Sequence, residues 1–153
     1  MSLMDGIGRN QILIGAGVLV ALVVISVPLV RSMNRSGARA EVGVLVESIR
    51  QAELVQGESF QAEGYISAGW APRQPTALSA DTVQWQGNQG FTSLGWSPVK
   101  EGYEWVRGTY KVAATRDGFT VTGKCDIDGD GVPAVWEATQ DSPATQITDP
   151  SVY

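Results

Sequence analysis

The chain contains no histidine and a single cysteine, Cys125, among its 153 residues. Without histidine it has no imidazole base for a Ser-His or Cys-His pair, which removes a common route to nucleophilic catalysis. With one cysteine it can form neither a zinc cluster, a haem-attachment motif nor an intramolecular disulfide. We therefore expect a protein that is not an enzyme.

Clustered positive charge is also missing. The chain has 11 Lys and Arg against 16 Asp and Glu, for a formal net charge of −5, and the basic residues do not form a patch. Proteins bind nucleic acids largely through contacts between clustered basic side chains and phosphates. The composition therefore predicts that nucleic acid is not a partner.

The chain does contain one long apolar run at residues 12–30, ILIGAGVLVALVVISVPLV. About 19 residues at a helical rise of about 1.5 Å cover about 28 Å, which is close to the hydrocarbon thickness of a bilayer. Signal-peptide cores are usually shorter, roughly 7–15 residues, and end at a small-residue cleavage site, whereas this run ends shortly before Arg31. The run predicts a retained transmembrane helix that follows a short leader-like segment at residues 1–11.

Small residues within this run suggest contact with another membrane helix. Gly15, Gly17 and Ala21 offer little side-chain bulk, and Gly17 and Ala21 are one helical turn apart, so that a second helix can approach closely. The alternative is that these residues have no partner, since small residues are common in transmembrane helices. We expect the partners to be other membrane helices within the lipid bilayer.

Helical periodicity continues beyond the apolar run, which predicts a helix extension over residues 31–57. Within residues 40–53 apolar side chains recur at intervals of three or four, and charged side chains fall on other faces. The helix is expected to end near Gln56 and Gly57 and to pack its apolar stripe on another part of the chain. The stripe is Val42, Leu45, Ile49 and Ala52, and the charged residues placed away from it are Glu47, Arg50 and Glu53.

Three arginines mark the start of this extension. Arg31, Arg35 and Arg39 are spaced by four, so they lie along one helical face just beyond the lipid boundary, where they can meet lipid head groups. They outnumber Arg9 on the other side of the span. Because basic residues are enriched on the cytoplasmic side of membranes, a charge count alone places the following domain in the cytoplasm.

From residue 58 to residue 153 the pattern becomes β-rich, with short β-prone runs separated by turns. Residues 110–115 and 118–124 alternate apolar and polar side chains, as in a hairpin with one buried face. The simplest architecture lays an antiparallel sheet on the helix stripe, which is an α+β fold. The predicted strands are residues 60–67, 82–86, 91–94, 105–114, 118–123 and 134–138.

Five tryptophans are many for so small a domain. Large aromatic side chains usually pack in the core of small sheets, and we expect the same of most of these. Trp70 and Trp96, which lie beside prolines in predicted loops, are the candidates for exposed contacts.

The sharpest chemical motif is an acidic loop with the sequence DIDGDGVPAVWE at residues 126–137. Carboxylates at alternate positions, a glycine for the sharp turn and a glutamate at the twelfth position form the pattern of a Ca²⁺ loop. Because the flanking segments are predicted strands, the pattern indicates a calcium-type loop in a β context and not an EF-hand. The alternative is a solvated acidic turn that binds no metal. The candidate ligands are the side chains of Asp126, Asp128, Asp130 and Glu137 and the carbonyl of Val132.

Three stretches share features with one known family. With Gly6 as the last residue of a leader, Ile7 becomes the first mature residue and Pro28 the twenty-second. The stretch ARAEVGVLVESIRQAELVQGESF leads out of the membrane into a loop. Residues 91–139 combine an LGW turn, a Tyr-containing strand and an acidic glycine loop before a tryptophan strand. Together these features resemble the type IV pilins and type II secretion pseudopilins.

The resemblance implies a pilin-like fold, in which Pro28 kinks the membrane helix and a β-sheet head packs on the helix extension. It also implies a structural subunit of a type IV pilus or secretion pseudopilus, anchored once in the bacterial inner membrane. The head is then periplasmic or extracellular, opposite to the charge count, and some pseudopilins carry a calcium-binding loop in it.

One position departs from the family pattern. Processed pilins carry a glutamate at the fifth residue after the cleaved glycine, where this chain has Gln11, and its leader lacks the usual basic residues. These departures favour an alternative role as an uncleaved single-span accessory subunit that stabilises a larger respiratory, photosynthetic or transport complex. Both roles are structural and depend on helix packing.

Overall fold

The computed structural model describes residues 35–58 and 64–153 of the chain. Among these residues no helix combines the length and the apolarity that a membrane crossing needs. The described segments belong to one compact unit, residues 35–153. The predicted leader and membrane span lie outside the described residues, and with them Gly6, Ile7, Gln11, Gly15, Gly17, Ala21, Pro28 and Arg31.

Helix α1 occupies residues 35–58 of the described chain and buries the predicted stripe. Val42, Leu45 and Ile49 have no exposed surface, and Ala52 is partly buried against the same core. Full burial of such a side chain is worth roughly 1.5–3 kcal/mol. The amphipathic pattern therefore predicted the packed face of the helix correctly.

Helix α1 packs on a five-stranded antiparallel sheet with the order β1-β4-β5-β6-β7, beside a small sheet of β2 and β3. The α+β class expected from the sequence is confirmed. The strands are β1 (Ala68–Ala71), β2 (Val83–Gln84), β3 (Trp105–Val106), β4 (Thr109–Ala114), β5 (Phe119–Cys125), β6 (Ala134–Thr139) and β7 (Thr145–Gln146).

The predicted hairpin is β4 and β5, which pair from Thr109↔Lys124 to Ala114↔Phe119. Alternate residues of β5 are buried, as the two-residue period requires. The strand predicted at residues 105–114 is interrupted, because β3 ends at Val106 and pairs with β2 while β4 begins at Thr109.

Two predicted strands are wrong. Residues 91–94 fall largely in helix α2 (Gln89–Ser93), because the side chain of Asn88 accepts a hydrogen bond from the Phe91 N–H and caps the helix. Of the strand predicted at residues 60–67, residues 60–63 lie outside the described residues and residues 64–67 have no strand structure, since β1 begins only at Ala68. Two short 3₁₀ helices, Pro75–Ala77 and Pro98–Glu101, complete the described elements.

The charged side chains of α1 do not all face solvent. Arg50 donates from Nε to the carbonyl of Thr139 at 2.7 Å, and Glu47 Oε2 accepts from the Ala144 N–H at 2.8 Å, so both fasten the helix to the end of the sheet. Glu53 is fully buried, and its predicted position away from the stripe is wrong. It follows Ile49 by four residues and therefore lies on the same face as that core residue.

Candidate metal site

The three aspartates of the acidic motif come together between the end of β5 and the start of β6. One carboxylate oxygen from each of Asp126, Asp128 and Asp130 lies within 4.8 Å of the others. Gly129 and Gly131 adopt φ values of +72° and +84°, a left-handed conformation that favours glycine and lets the loop turn sharply. The alternating motif thus places three hard oxygen donors around one point.

Hydrogen bonds inside the loop fix the orientation of two of these carboxylates. Asp126, 3% exposed, accepts from Gly129 N–H at 2.8 Å and from Gly131 N–H at 3.0 Å, one bond on each oxygen. Asp130 Oδ1 accepts from the Val132 N–H at 2.8 Å. A carboxylate oxygen has further acceptor capacity after one such bond, so both side chains can still coordinate a cation.

One carboxylate oxygen of Asp128 is free to bind a cation. Its Oδ1 is buried and has no hydrogen-bond partner within the described part of the chain, and its Oδ2 lies 3.9 Å from Nη1 of Arg35. An unsatisfied buried polar group costs about 1–3 kcal/mol, more if it is charged. A hard divalent cation would relieve that cost, so the loop fits calcium by its chemistry.

The other two predicted ligands stand differently. Val132 follows the aspartates in the loop, and its side chain is exposed. Because a valine side chain has no donor atom, only the backbone carbonyl of Val132 can act as a ligand. Glu137 lies in β6, paired with Thr122 on one side and Thr145 on the other, and its carboxylate is not part of the aspartate cluster. The chain enters β6 at Ala134, and this strand carries Glu137 away from the loop. Water would have to complete the six to eight ligands that calcium takes.

The end of the chain braces this loop against α1. The Ile127 N–H donates to the carbonyl of Tyr153 at 3.1 Å. Arg39 Nη1 donates to the carbonyls of Pro150 and Val152, the latter at 2.9 Å, and its guanidinium lies 4.7 Å from the centroid of the Tyr153 ring. The C-terminal residues thus connect the acidic loop to the helix.

Arg35 and Arg39 therefore contact residues of the β-rich part of the chain, although the sequence suggested that they meet the head groups of lipids. Arg35 approaches Asp128 and Arg39 binds the C-terminal residues. Neither pairing follows a periodic pattern, because each links residues about a hundred positions apart. The sequence indicated only that these two arginines, four residues apart, lie on one face of the helix.

Cys125, directly before the loop, is buried and is not placed to act as a ligand or a nucleophile. Burial is the main reason that the pKa of its thiol is raised to about 12, and the nearby carboxylates of Glu41 and Asp126 add to the shift while Arg39 opposes it. The thiolate is the reactive form of cysteine, so this side chain behaves as a small apolar residue.

Comparison with protein-family models, with curated proteins and with solved structures finds no match for the chain. The site is therefore interpreted from its own residues and geometry.

The aromatic residues form a second feature of the head. Trp85, Phe91, Trp96 and Tyr110 pack together, with ring centroids 5.3–6.2 Å apart. Trp96 is 6% exposed and donates to Ser48 Oγ at 2.9 Å, so its predicted exposure is wrong. Trp96 is buried because its ring packs against those of Trp85, Phe91 and Tyr110.

The most exposed tryptophan is instead Trp105, at 55%. Trp70, the other candidate for an exposed contact, is of intermediate exposure, and Lys124 Nζ lies 5.5 Å from the centroid of its ring. A cation at this distance stabilises an aromatic face by about 0.5–1 kcal/mol at an exposed site.

Proposed function

We propose that this chain is a non-catalytic, membrane-anchored, pilin-like structural subunit that assembles through its N-terminal helix in a type IV pilus or secretion pseudopilus. The observation that carries the proposal is the helix α1, which lays an apolar stripe on an antiparallel sheet. In the sequence, residues 35–58 follow shortly after an apolar run long enough to span a bilayer. An anchor continued by a helix that carries a β head is the arrangement expected of a pilin.

The outer face of α1 supports a role in assembly. Val44 and Val55 are both more than half exposed, and they are eleven residues apart, which places them on nearly the same side of a helix. Beside Val44, an apolar groove of about 390 Å³ runs between α1 and the segment that contains Pro143 and Ala144. Exposed apolar surface of this kind is typical of proteins that pack against neighbours.

Gln11 supports the second candidate, an uncleaved accessory subunit of a larger membrane complex. A neutral amide cannot neutralise the terminal amine of a neighbouring subunit as the glutamate of processed pilins is expected to do. In this role the same helix contacts other subunits and the chain is not processed.

We also propose that the acidic loop binds Ca²⁺ through Asp126, Asp128 and Asp130, with the carbonyl of Val132 and water as further ligands. A bound cation neutralises the clustered carboxylates and so stabilises the loop. Arg35, near Asp128, and Tyr153, whose carbonyl accepts from the Ile127 N–H, would then be held in place together with the loop. The ion has a structural role in this proposal.

Replacing Gly17 with leucine tests the assembly role. We expect the variant to remain in the membrane fraction but to lose most of its co-purifying partners, because a bulky side chain prevents close helix approach. The measurement is a mild detergent extraction followed by quantitative mass spectrometry of the partners. Val23→Leu is the control, since it enlarges a residue about 120° away on the helix and should leave co-purification unchanged. Equal co-purification of both variants would contradict the proposed contact.

A further inference from the structure

Glu53 is a buried carboxylate that the proposed function does not use. It has no exposed surface, and its Oε2 accepts one hydrogen bond, from the Ile66 N–H at 3.1 Å. Its Oε1 is buried without a hydrogen-bond partner in the described segments of the chain. The side chain thus connects the C-terminal part of α1 to the residues that lead into β1.

No cation pairs with Glu53 in the described part of the chain. Burial is the main reason that its pKa is raised to about 7, and the hydrogen bond from the Ile66 N–H opposes the shift. Arg50, one turn earlier on α1, is engaged with Glu47 and with the carbonyls of Thr139 and Gln140.

Among the residues that the structure describes, the other titratable groups near this end of the helix are Glu58, Tyr65 and Arg116. Glu58 is exposed at the end of α1, and Tyr65 packs its ring on Phe119 at a centroid distance of 4.8 Å. The backbone of Arg116, in the turn between β4 and β5, borders Gly64. None of these groups contributes to the shift at Glu53.

We propose that Glu53 is a pH-sensitive latch, which as a neutral acid holds the chain at Ile66 against α1 and on losing its proton releases that contact. A neutral carboxylic acid tolerates an apolar site with one hydrogen bond far better than a carboxylate does. Ionisation therefore favours an open state in which Glu53 reaches water. The remaining contacts of α1 with the sheet, such as those of Ile49, do not involve this group.

The direction of the pH dependence follows from proton binding. Between the ordinary value of 4.5 and about 7, the closed form binds more protons at Glu53 than the open form does. The latch is therefore strongest below pH 4.5 and weakens as the pH rises, until Glu53 is ionised in both forms above about pH 7. In the middle of this interval the opening constant should rise roughly tenfold for each pH unit, and the slope becomes shallower toward either end.

The test is hydrogen exchange at the Ile66 N–H, measured by NMR on the full-length protein in non-ionic detergent. Dividing each exchange rate by the intrinsic rate at that pH gives the opening constant. We expect a rise of about fortyfold between pH 5 and pH 7 in the wild type, and no rise in Glu53→Gln, whose amide oxygen still accepts from the Ile66 N–H. Glu58→Gln, which alters an exposed glutamate on the same helix, should behave as the wild type.

A constant opening free energy in the wild type, or an equal pH dependence in Glu53→Gln, would overturn the latch. The carbon resonance of the Glu53 carboxyl gives an independent result even if that variant does not fold. A midpoint near 7 in the wild type supports the proposal, and a midpoint near the ordinary 4.5 overturns it. Neither outcome depends on whether the chain assembles with others.

Discussion

Replacing Gly123 with valine should lower the free energy of unfolding of the head by about 3 kcal/mol. A Cβ atom at this position would overlap Cγ2 of Val46 and would lie only 3.0 Å from Cγ1 of Val42, so both valines would have to give way. Both valines are fully buried on α1, so neither can move into solvent. The helix would have to shift away from β5, and the contacts along the stripe would weaken.

Denaturant unfolding followed by tryptophan fluorescence measures this loss. Gly37→Ala is the matched control, because Gly37 is exposed on α1 and an added Cβ meets no atom within 4 Å. That substitution should raise stability by up to about 1 kcal/mol, since alanine is the better helix former. Equal stabilities for Gly123→Val and the wild type would show that α1 does not lie on this part of the sheet.

Calcium should raise the melting temperature of the wild-type head by roughly 10 °C when present at about a hundred times its dissociation constant. At that ratio binding adds about 2.7 kcal/mol to the stability of the folded state. Asp128→Asn should abolish most of the increase, because it removes one of the clustered carboxylates. Asp128 is the informative position, since Asp126 also supports the loop by accepting from Gly129 and Gly131.

Scanning calorimetry with calcium and with a chelator distinguishes the two interpretations of the loop. In chelator, Asp128→Asn should melt no lower than the wild type, because the ion pair with Arg35, at 3.9 Å, is partly exposed and the substitution removes one of three clustered carboxylates. Asp117→Asn, in the exposed turn between β4 and β5, should keep the full response to calcium. A wild type that melts at the same temperature in both buffers would identify a solvated turn that binds no calcium.

Local patterns in the sequence predicted much of this fold. The apolar spacing of Val42, Leu45 and Ile49 identified the buried face of α1, because helix geometry places such residues together wherever they pack. The alternation from Tyr110 onward identified the hairpin of β4 and β5 for the equivalent reason. Residues 91–94 were misassigned because the cap at Asn88, and not the β propensity of the following residues, determines that segment.

Long-range contacts could not be predicted in the same way. Glu53 is buried in the core, although its polar side chain favours a surface position. Trp96 is buried by residues such as Tyr110, whose proximity no local pattern in the sequence indicates. For the candidate metal site, the aspartate spacing predicted the cluster of carboxylates. The position of Glu137 depends on the direction in which β6 leaves the loop, which a twelve-residue pattern does not contain.

The most direct test of the proposed pilin-like role is the intact mass of the protein extracted from native membranes. For a processed pilin-like subunit we predict a membrane-bound chain that lacks Met1 to Gly6 and begins at Ile7. A chain that retains Met1 to Gly6 and travels with a large membrane complex would contradict the processed subunit and favour the accessory role. Recovery of the protein only in the fraction that is free of membranes would contradict both roles.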